Sequence, residues 1–399
     1  MKLEKPTERN MLQTVKLGEL CVEDRETIEP KSPEAQERPY LSLEHIFSSS
    51  GEIIKNQSLA AEDEGRSLTF AFDNRHVLYG KLRPYLNKVA LPDFAGRCTT
   101  ELIPLLPNPG TDREFLAWIL RRQETVSFAM QGKTGSRMPR ADMDELMKME
   151  VPFFPLVQQQ RIAARVREQM AEVERARAAL QAQLETAQAL PASVLRDVFD
   201  GPAAKKWPLC RLGDSLVLRK EIVHPSDNPK GSAIFVGLEH VESQIGKRIG
   251  GVNVELAELT GRKPRFRKSD IVYGYLRPYL NKVWVADFDG LCSVDQYAYS
   301  VRSDIADTGF IAWFMRSPCY LERAPIGDTP GQLPRIRLEE VAAVQIGLPS
   351  LAEQRAVTKR IETEIETFTE LREALQSRLA EIELLPAALL RQAFSGSEN

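Results

Sequence analysis

The sequence predicts an α+β chain with an internal pseudo-twofold repeat: two homologous α/β globular domains separated by two long antiparallel coiled-coil helices. Three observations predict it. An eleven-residue block returns almost unchanged far down the chain, a glycine-free helical stretch follows each copy at the same offset, and both stretches carry one heptad stripe with one shared interruption.

The block is Tyr79-Gly80-Lys81-Leu82-Arg83-Pro84-Tyr85-Leu86-Asn87-Lys88-Val89. It returns as Tyr273-Gly274-Tyr275-Leu276-Arg277-Pro278-Tyr279-Leu280-Asn281-Lys282-Val283, displaced by 194 residues. From 79 to 98, 14 of 20 positions match, against a chance rate of about one in seventeen for average residue usage. Duplication is the economical account. Other landmarks hold the frame to within one residue: Leu17-Gly18 with Leu212-Gly213, Leu43-Glu44-His45 with Leu238-Glu239-His240, and Phe115 to Trp118 with Phe310 to Trp313. Thr134, Pro139 and Arg140 answer Thr329, Pro334 and Arg335, Gln160-Arg161 answers Gln354-Arg355, and Leu190-Pro191 answers Leu385-Pro386. A period this long marks a duplicated domain pair, not a solenoid.

Each copy changes texture along its length. The first part mixes short β-type runs, such as Ala233 to Val236 and Asp270 to Tyr273, with Gly and Pro punctuation, and reads as a compact α/β domain. The last part is rich in Ala, Leu, Glu, Gln and Arg and reads as helix. The expected division is 1–155 and 202–349 for the globular domains, with helical regions at 156–201 and 350–399.

In the first helical region apolar residues fall at Val166, Met170, Val173, Leu180, Leu184 and Ala187, in the second at Ile361, Ile365, Phe368, Leu375, Leu379 and Ile382. The slots skipped are Arg177 and Arg372. Two helices with one stripe bury it best against each other. The arginines either lay their stems over the seam with heads in water or form a register-setting polar layer. Pro155 and Pro349 precede the helices, while Pro191 and Pro386 are expected to end or kink them, a short second helix then running to Gly201 and Gly396, glycines suited to a left-handed C′ position. From Leu156 to Leu190 such a rod of 35 residues measures about 50 Å.

At 399 residues the chain exceeds one ordinary core. The net charge of −3 gives no global basic signal, so any contact with nucleic acid must come from local patches. No apolar run reaches membrane length and the first residues lack an apolar leader segment, so a cytoplasmic protein is expected. Cys21, Cys98, Cys210, Cys292 and Cys319 are odd in number and widely spaced, which favours free thiols over disulfides or zinc.

Two variable globular domains, each followed by a long helix of the Pro-x-x-x-x-Gln-Arg type, resemble the specificity subunits of type I restriction-modification systems. The matching residues are Pro155 to Arg161 and Pro349 to Arg355, the two Leu-Arg-Pro-Tyr-Leu-Asn-Lys heptapeptides, and the segments Gly132 to Arg140 and Gly327 to Arg335. The resemblance implies that each globular unit is a target recognition domain reading half of a bipartite asymmetric site in double-stranded DNA. It also implies that the helices fix the gap and dock methyltransferase subunits, two of them, with restriction subunits as further partners. A 50 Å rod separates two readers by at most about fifteen base pairs at ~3.4 Å each.

Candidate DNA contacts follow from charge and shape. In the second domain Arg262, Lys263, Arg265, Arg267 and Lys268 form a basic run, with Lys247 and Arg248 earlier; the matching stretch of the first domain, Glu62 to Arg75, opens acidic, so the patch does not transfer. Arg83, Tyr85 and Lys88, with Arg277, Tyr279 and Lys282, combine guanidinium, aromatic platform and ammonium. A segment identical in two domains that read different sequences suits structural support or phosphate positioning ahead of base reading. The loop carrying Lys133, Thr134, Ser136 and Arg137, continuing to Arg140, offers backbone donors and cations to a phosphate. Its counterpart carries Thr329, then Arg335 and Arg337.

No catalytic residue, metal or cofactor is expected. Gly132-Lys133-Thr134 resembles half a P-loop, but Ser127 stands where the first glycine is needed. Asn108-Pro109-Gly110 is not the catalytic stretch of an adenine methyltransferase, and His45, His76, His224 and His240 lack metal-ligand spacing. His45 and His240 stand at equivalent positions and read as structural. The rival reading is a protein-binding helical scaffold of a defence or repair assembly, with no sequence-specific DNA reading.

Overall fold

The computed structural model describes residues 13–54, 67–131, 137–326 and 333–395. The chain divides into two compact units, Met1–Leu180 with Arg378–Asn399, and Gln181–Ser377. Both are built to one plan, as the duplication demands.

In unit 1 a four-stranded antiparallel sheet runs in the order Cys21–Glu23, Leu102–Pro107, Val77–Gly80, Val89–Ala90. A second sheet runs Thr27–Ile28, Thr69–Phe72, Gly96–Thr99, Tyr40–Leu41, its last pair parallel. In unit 2 the equivalents are Leu216–Leu218, Gln296–Val301, Ile271–Gly274, Val283–Val285, and a five-stranded sheet Ile222–Val223, Lys263–Phe266, Gly290–Cys292, Ser232–Val236, Val252–Glu255. Each unit also pairs its first strand with the strand before its long helix: Thr14–Lys16 with Glu150–Pro152, and Leu209–Arg211 with Gln345–Gly347.

The helices Arg113–Arg121 and Thr308–Arg316 fill the centre of each unit. Asp112 and Asp307 cap them, each carboxylate accepting the backbone N–H of the phenylalanine three residues on, Phe115 at 2.9 Å and Phe310 at 3.0 Å. Each ends on a buried arginine. Arg121 lies over the Trp118 ring and donates to the Val89 carbonyl at 2.6 Å; Arg316 lies over Trp313 and donates to Val283 at 2.9 Å. A cation in the last turn complements the helix dipole, and burial lowers each pKa only to about 10, which leaves both charged at neutral pH. Gly51 and Gly246, at φ +69° and +68°, cover the same carbonyls so closely that a Cβ would stand 1.8 and 1.9 Å away.

The long helices are Leu156–Asp200 and Leu351–Ala393, and Pro191 and Pro386 lie inside them. This corrects the expectation that the helices end there and a short second helix follows: each is one element, about 68 Å and 65 Å long by a rise of ~1.5 Å per residue. A proline removes one backbone donor, and burial of Leu195, Val198 and Phe199 beyond Pro191 keeps the chain helical past it. Gly201 is likewise not left-handed; a Cβ there would meet the Asp197 carbonyl at 2.1 Å, which explains the glycine sterically. Gly396 lies outside the described residues.

The apolar stripe is buried at Val166, Val173, Leu184, Ile361, Ile365 and Leu375, and half-buried at Met170, Leu180, Phe368 and Leu379. Within unit 1 the core gathers Ile162, Ala163 and Val166 from the start of the first long helix and Leu390, Ala393 and Phe394 from the end of the second. Within unit 2 it gathers Ile361 and Ile365 from the start of the second helix and Leu195, Val198 and Phe199 from the end of the first. Start meets end in each unit, as antiparallel pairing requires. Arg177 stays exposed beside Glu174, whereas Arg372 is partly buried and turns toward Glu242.

The repeat frame shifts by one residue at the helix entrance. Gln354 accepts the Asp307 N–H at 2.8 Å and donates to the Ile305 and Pro349 carbonyls; Gln159, not Gln160, does the same with Asp112 at 2.8 Å, Gly110 and Phe154. Gln160 is exposed. All five cysteines are free. Among the described residues no helix is long and apolar enough to cross a membrane.

Candidate nucleic-acid interface

The repeated heptapeptide folds into the same knuckle twice. After strand Val77–Gly80 the chain turns left-handed at Arg83 (φ 52°), makes a single 3₁₀ turn over Pro84–Leu86, and is left-handed again at Asn87 (φ 49°). In unit 2 Arg277 (φ 53°), Pro278–Leu280 and Asn281 (φ 47°) repeat it. Left-handed backbone costs a non-glycine residue about 1–2 kcal/mol, so the surroundings must hold it. They do so in both units: the Arg83 N–H donates to Pro139 and the Arg277 N–H to Pro334, both at 2.7 Å. Asn87 donates its amide to the Arg121 carbonyl at 2.8 Å, and Asn281 donates to Arg316 at 2.6 Å. Lys88 donates to the Leu43 carbonyl and Lys282 to Leu238, both at 2.6 Å. The lysines are thus anchors inside each knuckle, and burial lowers the Lys88 pKa. With proline buried and Asn and Lys turned inward, Arg83 and Tyr85, and Arg277 and Tyr279, are left facing solvent, the tyrosines at 52% and 54% exposure.

The segment entering each helical region joins its knuckle through backbone bridges, Leu82 with Arg140 and Leu276 with Arg335. Arg140 is ion-paired with Glu101 at 2.9 Å, and that hydrogen bond raises its pKa. Arg335 is exposed with no ion pair among the described residues. Arg137 and Arg337 are exposed, the latter's backbone N–H held by Glu340. Lys133, Thr134, Ser136 and Thr329 lie outside the described residues.

The basic run of unit 2 is partly spent within the domain. Arg267 is ion-paired with Glu221 at 2.9 Å and Asp289 at 3.3 Å, acids that immediately precede strands Ile222–Val223 and Gly290–Cys292. The Lys263 ammonium lies over the Phe235 ring at 4.9 Å. Arg262 and Lys268 remain exposed and Arg265 half-buried. Beneath them Arg219 grips the buried Asp270. In unit 1 the matching strand Thr69–Phe72 leads to Asp73, and Asp24 stands where unit 2 has Arg219, with the His76 ring between Asp24 at 3.2 Å and Asp73 at 3.0 Å. One scaffold thus carries opposite charge at equivalent places.

Two residues absent from the sequence-based candidates lie beside the unit 2 knuckle. Tyr275 and Tyr297 stack with ring centroids 4.4 Å apart and planes at 22°. The alternation of Tyr297 and Tyr299 along one strand face was the available signal; the pairing with Tyr275 needed the strand register, which sets Tyr273 opposite Tyr297. The histidines expected to be structural are so: Nδ1 of His45 accepts the Ser42 N–H and Nδ1 of His240 the Gly237 N–H, both at 3.0 Å.

Fold and site together define a class: a duplicated α+β protein in which each globular copy sits at the root of its own long helix and presents the same arginine–tyrosine knuckle. No family model matches the chain. It is 24% identical over 369 residues to the type I restriction enzyme EcoDI specificity subunit of Escherichia coli, covering 84% of this chain and 81% of that protein. Among solved structures it is similar to a chain from work on complex assembly and conformational transition of the type I R-M system, at TM-score 0.79, 22% identity and coverage of 97% and 98%. It is also similar to the HsdS subunit from Thermoanaerobacter tengcongensis, at TM-score 0.66, 22% identity and coverage of 98% and 99%. The two solved structures show that the chain shares their fold over nearly its whole length.

Proposed function

We propose that this chain is the non-catalytic DNA sequence-recognition subunit of a type I restriction-modification complex. The target recognition domains, 1–155 and 202–349, each read one half of a bipartite asymmetric site. The helical regions, 156–201 and 350–399, set the spacing and dock two methyltransferase subunits; exposed Leu371, Leu384 and Leu385 on the second long helix suit a protein partner. Restriction subunits join through that complex.

The observation that carries this reading is the knuckle, identical in sequence and backbone in both domains, set in surroundings that diverge. Phosphate contacts position a protein and are blind to sequence, whereas base contacts discriminate. A shared Arg83–Tyr85 and Arg277–Tyr279 element suits the first task, with Arg137, Arg262, Arg265, Lys268 and Arg337 as further backbone contacts. Lys88, Lys282, Arg140 and Arg267 act as positioning residues.

The test is methylation mapping in a host carrying the chain with its methyltransferase. Exchanging residues 202–349 for those of a subunit with another specificity should change one half of a split motif and leave the other half intact. A motif unaltered by the exchange would refute the reading, and complex formation indifferent to DNA would favour the protein scaffold.

A further inference from the structure

The two domains share their knuckle and differ beside it, and the difference is chemical. Tyr275 follows strand Ile271–Gly274 directly, its hydroxyl donates to the Val294 carbonyl at 2.8 Å, and its ring is stacked on Tyr297. Unit 1 has Lys81 and Ile103 at these places. Burial raises the pKa of both tyrosines, so the pair stays neutral at physiological pH. A stacked pair is also stiff, with little side-chain freedom left to lose on binding.

The neighbouring arginines differ too. Arg140 is locked by Glu101 through Nε and a terminal nitrogen. In unit 2 the corresponding acid is Asp295, one methylene shorter, and its carboxylate takes the Ser293 hydroxyl at 3.4 Å instead. Among the described residues Arg335 therefore keeps its donors. The Ile336 N–H donates to the Tyr275 carbonyl at 3.1 Å and Arg335 bridges Leu276, which sets Arg335 on the segment paired beside Tyr275.

We infer that Tyr275, Tyr297 and Arg335 are the base-discriminating surface of the second domain, and that Glu101 has closed the equivalent arginine of the first. This rests on the DNA-reading role proposed above. Discrimination must lie where the halves differ, yet within reach of the knuckle that fixes the backbone. An unpaired guanidinium offers two parallel donors, which match O6 and N7 of a guanine in the major groove. The tyrosine pair supplies a rigid apolar wall for the adjoining base pair.

The test maps methylated motifs base by base in a host carrying the whole system. Arg335→Gln should lower the preference for one guanine in one half-motif by about 10- to 100-fold and leave the other half as it was. Tyr275→Lys with Tyr297→Ile, which installs the residues of the first domain, should relax the same half. An unaltered motif in Arg335→Gln overturns the assignment and leaves DNA reading standing, whereas a parent system with no split motif overturns both. Arg335 is exposed and unpaired among the described residues, so its substitution tests the idea even where the tyrosine variant does not fold.

Discussion

Single residues here are explained by what they must touch. Gly51 illustrates it: positive φ and a carbonyl 1.8 Å from any Cβ combine with Arg121 to lock the loop over strand Val89–Ala90. Gly110 also has positive φ, +90°, but nothing lies within 4 Å. Gly51→Ala should therefore cost at least about 3 kcal/mol, from overpacking added to backbone strain, and Gly110→Ala only about 1 kcal/mol. Chemical unfolding of the two variants checks the difference; equal losses would show that strain, not contact, governs both. Nothing in the local sequence separates these glycines. One faces a partner that arrives from 38 residues further on, and the other faces solvent.

Among the elements, the long helices show how far pattern carries and where it stops. Heptad spacing located the buried stripe from Val166 to Leu184 and from Ile361 to Leu375 because burial follows periodicity. Pro191 and Pro386 signal an end or a kink because proline acts locally, and tertiary burial keeps the helix continuous through them. The entrance glutamine was misaligned for a similar reason: Gln158, Gln159 and Gln160 are indistinguishable in a list of letters. Gln159→Ala should destabilise unit 1 by about 2–3 kcal/mol, leaving the Asp112 N–H and buried carbonyls unpaired. Gln160→Ala should stay within about 0.5 kcal/mol. A Gln160 variant as damaging as the Gln159 variant would refute the one-residue shift.

At the level of the complete protein, the knuckles are expected to set affinity rather than specificity. Arg277→Ala removes an exposed guanidinium and leaves the backbone bonds of the turn in place. If the chain assembles with methyltransferase subunits as proposed, the slope of log K against log salt for that complex should become shallower by about 0.9, one phosphate contact, with the methylated motif unchanged. Arg83→Ala should do the same, and the two effects should add. A changed motif would move these arginines from backbone positioning to base reading. The basic run around Arg265 promised more charge than the folded domain offers, because Glu221 and Asp289 reach Arg267 from elsewhere. Net local charge depends on which acids folding brings near.

The duplication, the helical stripe and the recurring heptapeptide could all be read from the letters, because each is a periodicity or an identity and neither needs a third dimension. Which arginine is ion-paired, which glutamine clamps the helix entrance and which tyrosines stack depended on strand register and long-range packing. A one-methylene difference between Glu101 and Asp295 becomes a difference in pairing only once each stands within reach, or out of reach, of its arginine.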